Sequence, residues 1–115
     1  MTRVELSPRR RSITQAAQAD EFEFHLTIGF DDLAQPKEVF AGGIKYGTQM
    51  SALLSDAWVI ISRSLQCGNS PQQLAKSLGR VPDPMAGEGA DRPASAIGVI
   101  IETLIQEAEN LRAAV

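Results

Sequence analysis

The chain has 115 residues, of which 43% are hydrophobic and 22% are charged, and its formal net charge is -3 at pH 7. This length is enough for one domain with its own core, and the composition is typical of a soluble globular protein. Membrane spanning is excluded because no apolar run approaches the roughly 18 to 20 residues that a span requires. The N-terminal residues lack the apolar segment of a secretory signal, and a lone cysteine, Cys67, cannot form an internal disulfide, so we expect a cytoplasmic protein.

Charge is distributed unevenly along the chain. Residues 1–12 carry four arginines against one glutamate, a balance of +3, which leaves -3 minus +3, or -6, for the rest. We predict a flexible basic arm over residues 1–11 and a single domain over residues 12–115. Nucleic-acid binding is not expected, because an acidic domain neutralises few phosphates and only the arm could do so. A contact between Arg9–Arg11 and an acidic partner stays open as the alternative to a solvated arm.

Alternating apolar residues predict the clearest strand of the chain. Phe22, Phe24, Leu26, Ile28 and Phe30 alternate with polar or small residues, which is the period of a strand with one buried face. Weaker signals predict a strand before it, over 12–18, and a returning strand over 36–41 after a connection of hairpin length. Together the three segments predict an antiparallel meander whose polar face is directed outward.

The longest helix is predicted over residues 48–67. Gly42 and Gly43 end the preceding strand, Thr48 is a good N-cap, and Gly68 takes the usual C′ position. We expect this long apolar helix to be central, contacting the sheet on one side and another helix or a second subunit on the other. Its apolar positions recur at three- and four-residue spacing and are Met50, Leu53, Leu54, Ala57, Ile60, Ile61 and Leu65.

Two more helices are predicted, which makes the fold class α+β. Ser70 followed by Pro71 and Gln73 is a helix start with a capping box, and Gly79 is expected to end this short second helix. Residues 80–93 contain three prolines, two glycines and three acidic residues and are predicted to form a loop. The last helix is predicted to begin near Ser95 and to bury Ile97, Ile100, Ile101, Leu104, Ile105, Ala108 and Leu111.

The glycine-rich loop before the long helix is the candidate ligand site. A lysine, backbone N–H groups and a hydroxyl at a helix N-terminus suit an anion, so Gly43, Lys45, Gly47 and Thr48 are predicted to bind an anion or a nucleotide. The loop lacks the contiguous glycine, lysine and serine or threonine of a Walker motif. The alternative is a plain turn between strand and helix.

Catalytic and metal sites find little support in this sequence. His25, the only histidine, falls on the predicted solvent face of a strand, and Cys67 falls at a helix C-terminus, which disfavours a thiolate. One cysteine and one histidine exclude an ordinary zinc site within one chain. We therefore expect no catalytic residue, metal ligand or cofactor, although a magnesium site of Asp31 and Asp32, or of Asp83, Glu88 and Asp91, stays open.

Five short stretches resemble the TSCPD domain, a family found at the C-terminal end of cobalamin-dependent ribonucleotide reductases and as small stand-alone proteins. They are PKEVF at 36–40, KYGT at 45–48, SLQCG at 64–68, SPQQL at 70–74 and ASAI at 94–97, and the resemblance covers about residues 12–108. The chain departs from the family at Ile44, where members usually carry glycine. It also has Val81-Pro82 and Pro93-Ala94-Ser95 where reductase-attached members carry cysteine–proline pairs, so a metal or redox role there does not carry over.

Three functional hypotheses follow from this reading. The first is a non-enzymatic accessory or interaction module, as the resemblance implies, which binds a ribonucleotide reductase, another protein or a nucleotide. The chain alone should not reduce ribonucleotides, because that reaction needs a radical cofactor and a redox-active cysteine pair. The second is a small metal-assisted nucleotide-processing enzyme that uses Lys45, Thr48 and loop carboxylates. The third is a homodimeric structural protein whose long helix completes its core with a second copy.

Overall fold

The computed structural model describes residues 12–19, 22–42 and 49–114. The described residues up to 42 form a three-stranded antiparallel sheet. The strands β1 (Ser12–Ala19), β2 (Phe22–Phe30) and β3 (Pro36–Gly42) lie in the order β1-β2-β3. This confirms the predicted meander and, with the helices that follow, the α+β class. The predicted arm over residues 1–11 lies outside the described residues.

The centre of the core is β2, the middle strand of the sheet. Its inward side chains Phe24, Leu26, Ile28 and Phe30 are all buried, as the alternation predicted, while Glu23 and His25 on the other face are exposed. Because each strand side chain points to the opposite face from the next, one face of β2 supplies a third of the buried apolar core.

Asp31 fixes the turn between β2 and β3. Its carboxylate accepts hydrogen bonds from the N–H groups of Leu33 and Gln35, both at 2.9 Å. The backbone closes the same turn through Asp31 N–H to the Gln35 carbonyl and Ala34 N–H to the Asp31 carbonyl. This local hydrogen bonding returns the chain to the sheet, where the register of the pairing shifts between Gly29 and Phe30.

The helix α1 (Gln49–Gln66) follows the sheet, and the prediction that it is a long apolar helix at the centre of the fold was wrong. Only Leu54, Ile61, Leu65 and Gln66 of this helix are buried. It packs on β3 and meets the last helix only slightly, so it has one neighbouring layer and not two. The predicted N-cap, Thr48, lies outside the described residues. In the part of the chain that the structure describes, no helix has the length and apolar character needed to cross a membrane.

Side chains of α1 cover the free edge of β3. The Ser62 hydroxyl accepts from the Val39 N–H at 3.0 Å and donates to the Val39 carbonyl at 3.2 Å. Gln66 donates through Nε2 to the Lys37 carbonyl at 3.1 Å, and Lys37 Nζ donates in return to the Leu65 carbonyl at 3.2 Å. These bonds satisfy backbone groups that an edge strand directs away from its sheet, and they fix how α1 is rotated about its own axis.

Gly68 ends α1 as predicted. It has a φ of 103°, its N–H donates to the Leu65 carbonyl, and the Asn69 N–H donates to the Ser64 carbonyl. These two bonds are those of a Schellman motif. The helix α2 (Pro71–Ala75) then begins with the predicted capping box between Ser70 and Gln73.

Two predictions after α2 were wrong. The helix ends at Ala75 and not at Gly79, because Lys76 is extended and Ser77 takes a positive φ of 67°. The predicted loop over 80–93 is a hairpin, in which β4 (Arg80–Pro82) pairs with β5 (Asp91–Pro93) around the 3-10 helix Pro84–Ala86. Each strand has three residues, which is too short for a recognisable alternation.

The last helix, α3 (Ala96–Ala113), begins at the predicted N-cap Ser95, which accepts from the Gly98 N–H at 3.1 Å. It buries Ile100, Ile101, Leu104 and Ala108 and packs against α2, β1 and β5. Ile97 was predicted to be buried and is exposed. Gly98 is buried so close to the hairpin that a Cβ there would lie 2.8 Å from the Pro93 Cβ.

Removing the Ser62 hydroxyl tests the attachment of α1 to the sheet edge. We expect Ser62→Ala to lower the free energy of unfolding in urea by about 1–3 kcal/mol, since the Val39 N–H and C=O then lose their partner. Ser55→Ala is the matched control, because Ser55 lies on the same side of α1 one heptad earlier without a side-chain hydrogen bond to another described residue. Equal effects of the two variants would contradict this role of Ser62.

The close contact at Gly98 makes a second prediction. Alanine in a helix is normally better than glycine by about 1 kcal/mol, but we expect Gly98→Ala to destabilise by about 1–3 kcal/mol because the methyl group overlaps Pro93. Gly79→Ala is the control, since its Cβ would meet the Ala94 Cβ at 3.4 Å, an ordinary contact. Thermal unfolding of both variants measures the difference, and a stabilised Gly98→Ala variant would show that the hairpin moves aside freely.

Candidate functional site

The predicted anion or nucleotide site lies outside the described residues. Gly43, Lys45, Gly47 and Thr48 all belong to the stretch 43–48 between β3 and α1, which the structure does not describe. The prediction therefore stays a prediction, and the site that can be built from contacts lies elsewhere.

His25 and Cys67 are placed where the sequence suggested. His25 is exposed on the outer face of β2, opposite Ala16 of β1 and Gly42 of β3, neither of which is a nucleophile or a base. Cys67 is half-buried and continues the helical hydrogen bonding of α1 through its N–H to the Arg63 carbonyl at 3.0 Å. Neither residue is joined to a second catalytic group among the described residues.

Two acidic residues of the hairpin, Asp83 and Asp91, take part in ion pairs. Arg80 donates through Nε to Asp91 at 2.9 Å and through a terminal nitrogen to Glu102 of α3 at 3.0 Å. The hydrogen bond to Glu102, followed by the one to Asp91, raises the pKa of Arg80 above its ordinary value. Asp83 lies 3.7 Å from Arg92.

These contacts bear on the magnesium site that the sequence left open. The described residues contain no group of three or more histidine, cysteine or acidic side chains able to hold a metal ion. Asp83 and Asp91 are paired with arginines, and Asp31 accepts two N–H groups in its turn. Their contacts with cations and amides explain these carboxylates as structural groups that hold the hairpin and the turn.

A shallow pocket lies where β3, the end of α1 and α3 meet, and its lining includes Lys37, Asn69 and Arg112. Lys37 donates its ammonium group to the Leu65 carbonyl at the C-terminus of α1, where a cation is favourable. The charge of Lys37 is thus used within the fold, and the Asn69 amide donates to the Ser64 carbonyl at 3.3 Å.

The largest unexplained feature is a row of apolar and small side chains along α1, here called the α1 stripe. Leu53 is 54% exposed and Ile60 is 63% exposed, although both are large aliphatic residues on a helix. Met50 is exposed as well, and the small residues Ala57, Ser64 and Cys67 are half-buried. The stripe consists of Met50, Leu53, Ala57, Ile60, Ser64 and Cys67, which alternate in steps of three and four residues.

The rotation of α1 explains why the stripe is uncovered. At 3.6 residues per turn, the stripe lies on the side of the helix away from Ser62 and Gln66, which bind β3. The buried residues Leu54 and Ile61 each follow a stripe residue directly and point into the core. One helix therefore presents apolar side chains in two directions, inward to its own sheet and outward to solvent.

Two charges flank the stripe. Asp56 and Arg63 directly precede Ala57 and Ser64, so both lie along the same border of the stripe, one heptad apart. Both are exposed, and neither forms an ion pair with another described residue. They are the only charged residues of α1. The surface thus combines an apolar row with one negative and one positive group on its edge.

No known protein-family model, curated protein or solved structure matches the chain. The candidate site therefore depends on its geometry.

Sequence reasoning named four of the stripe residues but did not separate them from the residues that face the sheet. Met50, Leu53, Ala57 and Ile60 were counted with Leu54 and Ile61 as one broad apolar face. A seven-residue repeat, in which the stripe residues occupy two positions of each heptad, distinguishes the stripe from the buried face. That signal is present in the sequence, and it becomes decisive only when the neighbours of α1 are known.

The ion pairs of Arg80 yield a prediction that separates a structural role from a metal-binding one. We expect Arg80→Ala to speed amide hydrogen exchange at Asp83 and Ala90 severalfold while exchange in β2 stays unchanged, because the hairpin loses its link to α3. Arg112→Ala, which removes an exposed arginine from the last turn of α3, is the control. Slower hairpin exchange on adding magnesium to the wild type would instead indicate that the carboxylates bind the ion.

Proposed function

We propose that this chain is a non-enzymatic interaction module that binds a protein partner through the α1 stripe. The observation that carries the proposal is the exposure of Leu53 and Ile60 in one row on a well-formed helix. Single exposed apolar residues are ordinary, but a continuous apolar row with polar residues at its border is typical of a protein interface. The charged border adds specificity to such a contact.

The described chemistry favours binding over catalysis. His25 faces solvent without a partner base or nucleophile among the described residues, and Asp83 and Asp91 of the hairpin are paired with arginines. A general base or a nucleophile requires a second group within hydrogen-bond reach to orient or activate it. The metal-assisted enzyme therefore has less support than the interaction module.

The resemblance to the TSCPD domain agrees with this function. Its reductase-attached members suggest a ribonucleotide reductase as one partner class, and a nucleotide at Gly43, Lys45, Gly47 and Thr48 stays a second proposal. Both remain proposals that follow from the resemblance, whereas the protein-binding surface follows from the exposed residues.

Site-specific photo-cross-linking tests the proposed surface. A benzophenone amino acid introduced at Ile60 should form a protein adduct in the producing cell, because the side chain lies in the centre of the stripe. The same amino acid at Met85, which is 95% exposed and lies far along the chain in the 3-10 helix, is the control for random contacts. The adduct partner is identified by mass spectrometry and purified.

The purified partner should then bind the wild type saturably and bind the double variant Leu53→Asn, Ile60→Asn at least about tenfold more weakly, since burial of two aliphatic side chains is lost. Circular dichroism should show an unchanged helix content, because both residues are exposed. Equal adduct yields at positions 60 and 85, or unchanged affinity of the double variant, would refute the proposed surface.

A further inference from the structure

We infer that the occupant of the α1 stripe is the α1 helix of a second copy of this chain, lying antiparallel. The inference rests on the proposed function and specifies the partner of the same surface. It is carried by two observations that are independent of each other, the distribution of three large residues (Met50, Leu53 and Ile60) and three small ones (Ala57, Ser64 and Cys67) along the stripe and the positions of the two charges on its border.

The sizes of the stripe residues fit a two-fold antiparallel pair. In a symmetric dimer each residue faces a residue on the partner and the relation is reciprocal. When Ala57 faces Ile60 of the second copy, the remaining layers follow from the spacing, with Leu53 opposite Ser64 and Met50 opposite Cys67. Every large side chain then meets a smaller one, which allows the two helices to interdigitate at close distance.

The charges fit the same register. In an antiparallel pair, the positions that directly precede Ala57 and Ser64 on one helix face the same positions on the other helix. Asp56 of one copy therefore lies next to Arg63 of the other, twice per dimer. Sliding the helices by one heptad in either direction would bring Asp56 next to Asp56 or Arg63 next to Arg63. Like charges in contact destabilise those two shifted registers. Asp56 and Arg63 therefore favour the proposed register over both of them.

A parallel pair lacks this complementarity. It would place Leu53 on Leu53 and Ile60 on Ile60, with gaps at the small residues, and it would bring Asp56 near Ile61 instead of near an opposite charge. Leu54 and Ile61 are buried in their own domain, so they are not exchanged in either arrangement. The antiparallel arrangement is the one in which size and charge agree.

The native cysteine provides a test of direction and register. In Met50→Cys the introduced thiol should form a disulfide with Cys67 of the second copy on mild oxidation, giving a covalent dimer on a non-reducing gel. An internal bond is excluded because the two positions lie about 26 Å apart at 1.5 Å per residue. The wild type and the variant Met50→Cys, Cys67→Ser should stay monomeric on the same gel. Dimers of the wild type through Cys67 alone would indicate parallel helices and overturn the inference.

A charge exchange gives a second test that leaves the helix packing intact. Asp56→Arg or Arg63→Asp alone places like charges at both symmetric sites, so we expect the dissociation constant from sedimentation equilibrium to rise at least about tenfold at low salt. The double variant Asp56→Arg, Arg63→Asp restores opposite charges and should return to within about threefold of the wild type. Additive weakening in the double variant, or a wild type that is monomeric at every concentration, would overturn the inference.

The photo-cross-linking at Ile60 separates the failure of this inference from the failure of the proposed function. An adduct with twice the mass of the chain, whose cross-link lies near Ala57, supports both. A saturable adduct with a different protein leaves the interaction module in place and refutes the second copy as its occupant. No adduct above the Met85 control refutes both.

Discussion

The contact between α1 and the free edge of β3 determines which side of α1 faces the core and which side faces solvent. An edge strand directs alternate N–H and C=O groups away from its sheet, and those groups need partners when they are covered. Ser62 serves both groups of Val39, and Gln66 serves the Lys37 carbonyl. Because these polar bonds are directional, they fix one rotation of α1, whereas apolar packing alone would tolerate several.

That rotation places the residues of α1 that stabilise the fold and the residues that are proposed to bind a partner on different sides of the helix. Leu54, Ile61 and Leu65 close the core above β2 and β3, and they are followed around the helix by the serine and glutamine that bind the edge. The opposite side then has no strand to contact, and the stripe is left in solvent. A long helix on a sheet of three strands has more apolar side chains than one face of that sheet can bury.

The sequence predicts the local features of this fold well. The alternation along β2, the capping box at Ser70 and the C′ glycine at position 68 depend on neighbours a few residues away, and all three were confirmed. Features that depend on distant neighbours were missed. The β4–β5 hairpin is held by Arg80 and by Gly98 beside Pro93, and neither contact leaves a periodic trace in the sequence. For α1, helical periodicity identified the apolar residues but could not tell which of them face the sheet.

The candidate site was predictable only in part for the same reason, since the sequence shows which residues are charged but not which residues they contact. Asp83 and Asp91 of the hairpin could be interpreted as metal ligands from the sequence, but they form ion pairs with Arg92 and Arg80, which only the three-dimensional structure shows. Asp56 and Arg63 are the reverse case, since they form no ion pair within the described fold although they lie beside the exposed stripe. A charge beside an apolar row loses hydration when that row is covered, so a partner surface that lacked the opposite charge at the matching height would bind poorly. An antiparallel copy supplies both opposite charges from the same sequence, and the seven-residue spacing of Asp56 and Arg63 is the spacing that such self-complementarity requires.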